Sequence, residues 1–175
     1  NKTKAFLFSS PCNPTGSVYN KKELSRISTV FEKNNNIIII SDEIYEHINF
    51  SKKHFSIGRI HNIKDQVVTV NGLSKGYAMT GWRFGYLGGP KKIVEACNKM
   101  QGQITSATCS ITQRAAISAL SADPTCTHSM REVFQKRRDL IIKLLSKIEG
   151  LEINQPEGAF YVFPNISYYI GKKHK

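Results

Sequence analysis

Lys75 stands in a Gly/Ser-rich turn, "NGLSKG", directly after the β-branched run "VVTV", and Arg83 follows eight positions later. An amine at the end of an apolar strand serves as a nucleophile or general base when burial or nearby positive charge keeps part of it neutral. Two other apolar runs also end in polar chemistry. "KAFLFSS" leads into "PCNPTG" with Asn13, and "NIIII" leads into "SDEIY" with Asp42 and Tyr45. With Ser74, the set offers an amine, a guanidinium, an amide, a carboxylate, a phenol and a hydroxyl. A carboxylate can hold a proton on a ring nitrogen, and the planar arginine fork matches phosphate.

The elements that must position these groups are legible as strands and helices. "KAFLFSS", "NIIIISDE", "QVVTVNG" and "FGYLGG" read as strands. The run Ile37 to Ile40 lacks period-two alternation, which predicts a parallel strand covered on both faces. Four helices are expected. "NKKELSRISTVFEKNN" has Asn20 as its N-cap and Leu24, Ile27 and Phe31 on one face; "KKIVEACNKM" has Pro90 in its first turn. "ITQRAAISALS" is the third, and "SMREVFQKRRDLIIKLLSKIEG", stopped by Gly150, is the longest. Alternating strands and helices predict an α/β domain with an open, mostly parallel sheet and crossover helices. After Gly150, "LEINQPEGAFYVFPNIS" reads as short strands around a Pro/Gly turn, with "GAFYVF" as a core strand. The expected division is 1–150 as part of a large domain and 151–175 as the beginning of a smaller α+β domain. In open α/β sheets ligands gather beyond the carboxyl ends of the strands, so Asn13, Asp42, Tyr45 and Lys75 are expected on one edge.

Composition sets the class. Hydrophobic residues are 40% and charged residues 22% of the chain, which excludes a disordered chain. No apolar run reaches the ~20 residues of a membrane span. The sequence starts at Asn1 rather than Met and enters a strand-like run almost at once, as expected of a chain beginning inside a protein. Cys12, Cys97, Cys109 and Cys126 show no CxxC or metal spacing and read as free thiols of a cytoplasmic protein. The net charge of +12 raises a nucleic-acid-binding α/β domain as an alternative. Against it, the cations are dispersed apart from the late "GKKHK", and no zinc finger, helix-turn-helix or RNP-like strand accompanies them. No metal, nucleic-acid or membrane partner is expected. His47, His54, His61, His128 and His174 read as surface or loop residues, Trp82 as scaffold, and Tyr168–Tyr169 has no assigned role.

One ligand uses every group on the strand edge. Pyridoxal 5'-phosphate (PLP) needs a lysine for its aldehyde, a carboxylate for its pyridine nitrogen, donors for its O3′ and cations for its phosphate. The ordered motifs "NPTG" (13–16), "DEIY" (42–45) and "SKGYAMTGWRFGY" (74–86) resemble the class I aminotransferases, within the PLP family that includes aspartate aminotransferase. Weaker echoes are "QRAAISAL" and "PEGAFYVFP", so the resemblance runs through nearly the whole chain. It implies the large domain of fold-type I, with Lys75 as Schiff-base lysine and proton shuttle and Asp42 as partner of the pyridine nitrogen. Tyr45 and Asn13 match the O3′ partners, and Arg83 and Ser74 the phosphate ligands, Arg83 as a buried guanidinium facing an anion. Gly72 departs from the family, which often has serine there.

The resemblance also implies a longer enzyme. A segment closing over the substrate, a glycine-containing phosphate turn, a ring-stacking aromatic residue and the arginine for the substrate α-carboxylate have no counterpart here. The implied activity is transfer of an amino group between an amino acid, aspartate first, and a 2-oxo acid, 2-oxoglutarate first, by a homodimer. Another PLP enzyme of the same scaffold, a carbon–sulfur lyase or a decarboxylase, is the alternative. Residues 1–175 alone are expected to have little or no transaminase activity; robust turnover by the purified 175-residue chain would contradict this.

Overall fold

The computed structural model describes residues 2–51 and 53–172. Lys52 and the last three residues of "GKKHK", with His174, lie outside the described residues. Four strands, β1 (Ala5–Ser9), β2 (Ile38–Asp42), β3 (Val67–Gly72) and β4 (Gly85–Gly88), form one sheet in the order β1-β2-β3-β4. β1, β2 and β3 run parallel, and β4 returns antiparallel to β3. The helices are α1 (Lys21–Glu32), α2 (Lys91–Ile104), α3 (Ser110–Ser121) and α4 (Thr125–Leu145). The sheet is therefore open and mostly parallel, and α1 is the crossover between its first two strands.

α1 begins as its sequence predicts. The Asn20 side chain accepts from the Lys22 and Glu23 backbone N–H groups at 2.9 and 3.1 Å, and Glu23 returns the bond to the Asn20 N–H at 2.8 Å. This reciprocal capping box satisfies donors that the first helical turn would otherwise leave open. Leu24 and Phe31 from α1 pack on Ile37, Ile39, Ile57, Ile63 and Val67, and this cluster is the core under one face of the sheet.

The other face is different. β2 alternates after all: Ile39 and Ser41 are buried, whereas Ile38, Ile40 and Asp42 are half-buried. On β1, Leu7 is 68% exposed, and its register partner is Ile40. Coverage of both faces, expected from the isoleucine run, is not what this chain provides. α2, α3 and α4 bury little; only Thr112, Ala116 and Thr127 among them are fully enclosed.

Three boundaries also move. α4 starts at Thr125 and stops at Leu145, with the Ser146 N–H turned back onto Ile142 and Leu144 carbonyls. Gly150 lies in the following turn at φ +74, a left-handed conformation natural to glycine, and does not itself stop the helix. Pro90 is the residue before α2 rather than in its first turn. Beyond Gly150 the expected strands reduce to isolated bridges, Glu152–Asn165 and Asn49–Gly158. "GAFYVF" forms no strand, because Ala159 takes φ +58 and breaks the extended path. Tyr168 and Tyr169 both bring their hydroxyls to Glu149 and so close this turn region.

Asn20→Ala should lower unfolding free energy by about 1 kcal/mol, and Asn20→Gly by only a few tenths. Urea denaturation of the two variants checks both values.

Candidate active site at the strand ends

The parallel register puts Ser9 and Asp42, the last residues of β1 and β2, beside Val70 of β3. The ladder continues past them, through Ser10 N–H to the Asp42 carbonyl at 3.2 Å and Glu43 N–H to the Val70 carbonyl at 2.9 Å. Each strand then enters a tight turn. After β1, the Cys12 carbonyl accepts from Gly16 N–H at 2.8 Å, closing the turn that carries Asn13. After β2, Ile48 N–H donates to the Tyr45 carbonyl at 2.8 Å. After β3, the Lys75 carbonyl accepts from Ala78 N–H at 3.2 Å.

Asp42 is half-buried. One carboxylate oxygen accepts from Ile44 N–H at 3.1 Å, a local turn contact. Among the described residues no donor meets the other oxygen. The side chain lines a cavity of about 460 Å³ with Ser9, Cys12, Thr15, Ser17 and Tyr19. Tyr45 is 3% exposed, and its hydroxyl lies 2.5 Å from that of Tyr161. Burial pushes the Tyr45 phenol well above its ordinary range; the Tyr161 hydrogen bond and the nearby Tyr161 and Asp42 charges add to this, and a hydrogen bond with the Asn13 side chain opposes it. The Lys75 amine sits 5.9 Å from the centre of the Tyr45 ring and 5.7 Å from that of Phe160, within cation–π range of both.

Asn13, Asp42, Tyr45 and Lys75 are thus brought together. Ser74 is half-buried beside Lys75, and its hydroxyl makes no hydrogen bond among the described residues. Among the described residues no hydrogen bond or ion pair joins Arg83 to this group. The expectation of a buried guanidinium is corrected: Arg83 is exposed, takes φ +52 at the end of the Thr80–Trp82 turn, and donates through Nη1 to the Thr80 carbonyl at 2.7 Å. It lines a second cavity with Asn71 from β3 and Tyr86 from β4. Trp82 is also exposed and does not act as packed scaffold here.

Glycine at position 72 has a steric reason. A Cβ there would come within 2.8 Å of the Phe84 carbonyl and 3.1 Å of Ile44, so the close return of the chain towards β4 leaves a serine no room without displacement.

Sequence reasoning missed two features. The first is the contact of Phe160 and Tyr161 with Tyr45, and of Phe160 with Lys75; its signals are the aromatic density of "AFYVF" and the family echo "PEGAFYVFP". The second is Glu43, which is 3% exposed. Its carboxylate accepts from Ser41 Oγ at 2.9 Å and Ser56 Oγ at 2.7 Å, and pairs with His54 Nε2 at 2.8 Å. His54 is therefore a largely enclosed partner and not a surface residue. Its neighbour in type, His47, stacks edge-on against Tyr77, while His61 and His128 are exposed as expected. An acid next to Asp42 on the opposite strand face must lie on the core side, which is the clue the "DE" pair contains.

The chain matches the sequence profile of aminotransferase class I and II over residues 1–173. This chain belongs to the class I and II aminotransferase family. It is 44% identical over 174 residues to the bifunctional aspartate aminotransferase and glutamate/aspartate-prephenate aminotransferase of Petunia hybrida, covering 97% of this chain and 36% of that protein. It is 44% identical over 173 residues to the aspartate/prephenate aminotransferase of Cereibacter sphaeroides, covering 98% of this chain and 43% of that one. The crystal structure of the aspartate aminotransferase from Rhizobium meliloti superposes with a TM-score of 0.94 at 37% identity, over 97% of this chain and 43% of that chain. The chain thus spans less than half the length of these aminotransferases.

His54→Ala should leave the buried Glu43 carboxylate short of one donor and destabilise the fold by about 1–3 kcal/mol. His61→Ala, on the exposed surface, should cost under about 0.5 kcal/mol. Denaturant midpoints of the two variants measure the difference.

Proposed function

We propose that the full-length protein is a PLP-dependent aminotransferase moving an amino group between aspartate and 2-oxoglutarate. The carrying observation is the convergence of Lys75, Tyr45, Asp42 and Asn13 on one edge of the sheet. The donor set fits the cofactor: a carboxylate oxygen without a partner beside a cavity, a phenol and an amide in contact, and an amine against two aromatic rings. PLP, when bound, supplies an electron sink for the pair left at the substrate Cα.

The residues divide the remaining work. Asp42 holds a proton on the pyridine nitrogen with its free oxygen. Tyr45 and Asn13 hydrogen-bond the ring oxygen. Lys75 is the nucleophile that anchors the cofactor and the base that moves the Cα proton, beside the Tyr45 and Phe160 rings. Ser74 and Arg83 take the phosphate. The Ser74 hydroxyl is uncommitted, and Arg83 has four N–H donors beyond the one given to Thr80. The names of the matched relatives support aspartate as the amino donor. All four cysteines are free, which supports a reducing, cytoplasmic setting. Among the described residues no helix is long and apolar enough to cross a membrane. Residues 1–150 form part of the cofactor-binding domain and 151–175 begin the smaller one. Exposed apolar side chains on α3 and α4, including Ile111, Ile117, Leu140 and Leu144, supply surface for the rest of the subunit and for a homodimer.

Borohydride reduction of the PLP-loaded full-length protein should fix a pyridoxyl group on the Lys75 peptide. Lys75→Ala should lose both this label and at least about a thousandfold in amino transfer. With aspartate and 2-oxoglutarate, glutamate should form in step with aspartate loss. Release of carbon dioxide from the amino acid, or of thiol from a sulfur-containing one, without glutamate formation would instead indicate a decarboxylase or a lyase.

A further inference from the structure

Tyr161 lies 116 residues after Tyr45, yet the two hydroxyls are 2.5 Å apart and the rings meet edge to face at 5.7 Å and 81°. Phe160 closes a second side of Tyr45, with ring centres 5.5 Å apart, and is itself stacked on Phe134 of α4 at 5.1 Å. The segment that delivers these rings is latched to the two turns carrying the other ring-oxygen ligands. Glu157 and Gly158 N–H groups donate to the Gly16 carbonyl in the Asn13 turn, at 2.9 and 3.0 Å. Ala159 N–H donates to Ile48, and Phe50 N–H to Glu157, beside the Tyr45 turn, at 2.8 and 2.7 Å.

Ala159 is fully buried at φ +58, a left-handed conformation that an L-residue disfavours. The packing around it leaves little alternative. A Cβ on Gly158 would meet Pro11 at 2.6 Å, and one on Gly16 would meet Pro156 at 2.4 Å. The strained residue is thus held where it presents Phe160 and Tyr161 to Tyr45 and Lys75.

We propose that Tyr161 is a positioning residue for Tyr45, holding its oxygen and directing its proton to the ligand at the strand ends. This rests on the reading that Tyr45 serves the cofactor's ring oxygen. A phenol has one proton and can also accept. Either hydroxyl of the Tyr45–Tyr161 pair can donate to the other; when an anionic acceptor arrives, Tyr45 turns its proton to it and Tyr161 donates into the Tyr45 oxygen. Hydrogen bonds in such a chain strengthen one another. The charged and titratable groups around this oxygen are Asp42, the Lys75 amine and the Tyr161 phenol; Asn13 and Phe160 complete the surround.

The test uses the full-length holoenzyme and Tyr161→Phe, which keeps the aromatic wall and removes the hydroxyl. The pH midpoint of the visible absorbance of the lysine-bound PLP adduct is read for wild type, Tyr161→Phe, Tyr45→Phe and the double variant. Weaker donation by Tyr45 destabilises the ionised ring oxygen and keeps the adduct protonated to higher pH. Tyr161→Phe should therefore raise the midpoint by roughly half a pH unit, and should add nothing in the Tyr45→Phe background. A loss of packing alone would leave the midpoint in place. An unchanged midpoint in Tyr161→Phe, with a normal Lys75-dependent band, overturns the proposal and leaves the cofactor reading standing. Absence of any Lys75-dependent band in the wild type overturns the cofactor reading, and the proposal with it.

Discussion

The alignment of β1, β2 and β3 is the constraint from which the site follows. Ser9, Asp42 and Val70 are register partners, and backbone bonds carry the ladder one residue further on each side of Asp42. A slip of one residue would turn every side chain of a strand to the other face. Asp42 would then point into the core and Glu43 towards the cavity that Asp42 lines. The buried hydrogen bonds from Ser41, Ser56 and His54 to Glu43 oppose that slip, since they would all be lost together. A polar network on the core side of β2 thereby fixes the chemistry on its other side.

The antiparallel return of β4 has a second role. The chain between β3 and β4 carries Ser74, Lys75 and Arg83, and it must reverse over a short distance. Gly72 permits the approach to Phe84, and Arg83 itself takes a left-handed conformation near the end of the reversal. Lys75 ends up against aromatic rings, whereas Arg83 stays at the surface. The two cations therefore meet different environments although they are eight positions apart in sequence.

Much of this was readable in the sequence because it depends on local rules. Asn20 followed three residues later by Glu23 specifies a helix start, and polar residues closing apolar runs mark the ligand edge of an α/β sheet. What could not be read depends on long-range neighbours. Nothing near Ile40 reveals that its outer face is left uncovered by this chain. The partnership of Tyr45 with Tyr161 spans most of the molecule, and Ala159 adopts a backbone conformation that its side chain disfavours. The enclosure of His54 depends on Glu43, eleven positions earlier in the chain. Arg83 was assigned by motif, but its exposure follows from the turn geometry.

The latch at 157–159 is made of backbone groups; it requires glycine at 16 and 158, where a Cβ would collide, but none of its bonds uses the side chain at 160 or 161. Gly16, Ile48 and Glu157 contribute carbonyls, and the partners contribute N–H groups. Side chains at 160 and 161 can therefore vary while the segment stays attached to the sheet edge. Attachment and chemical identity are separately encoded in this wall. Such a division lets a lineage alter what faces the Lys75 amine, residue by residue, without first having to rebuild the frame that holds it there.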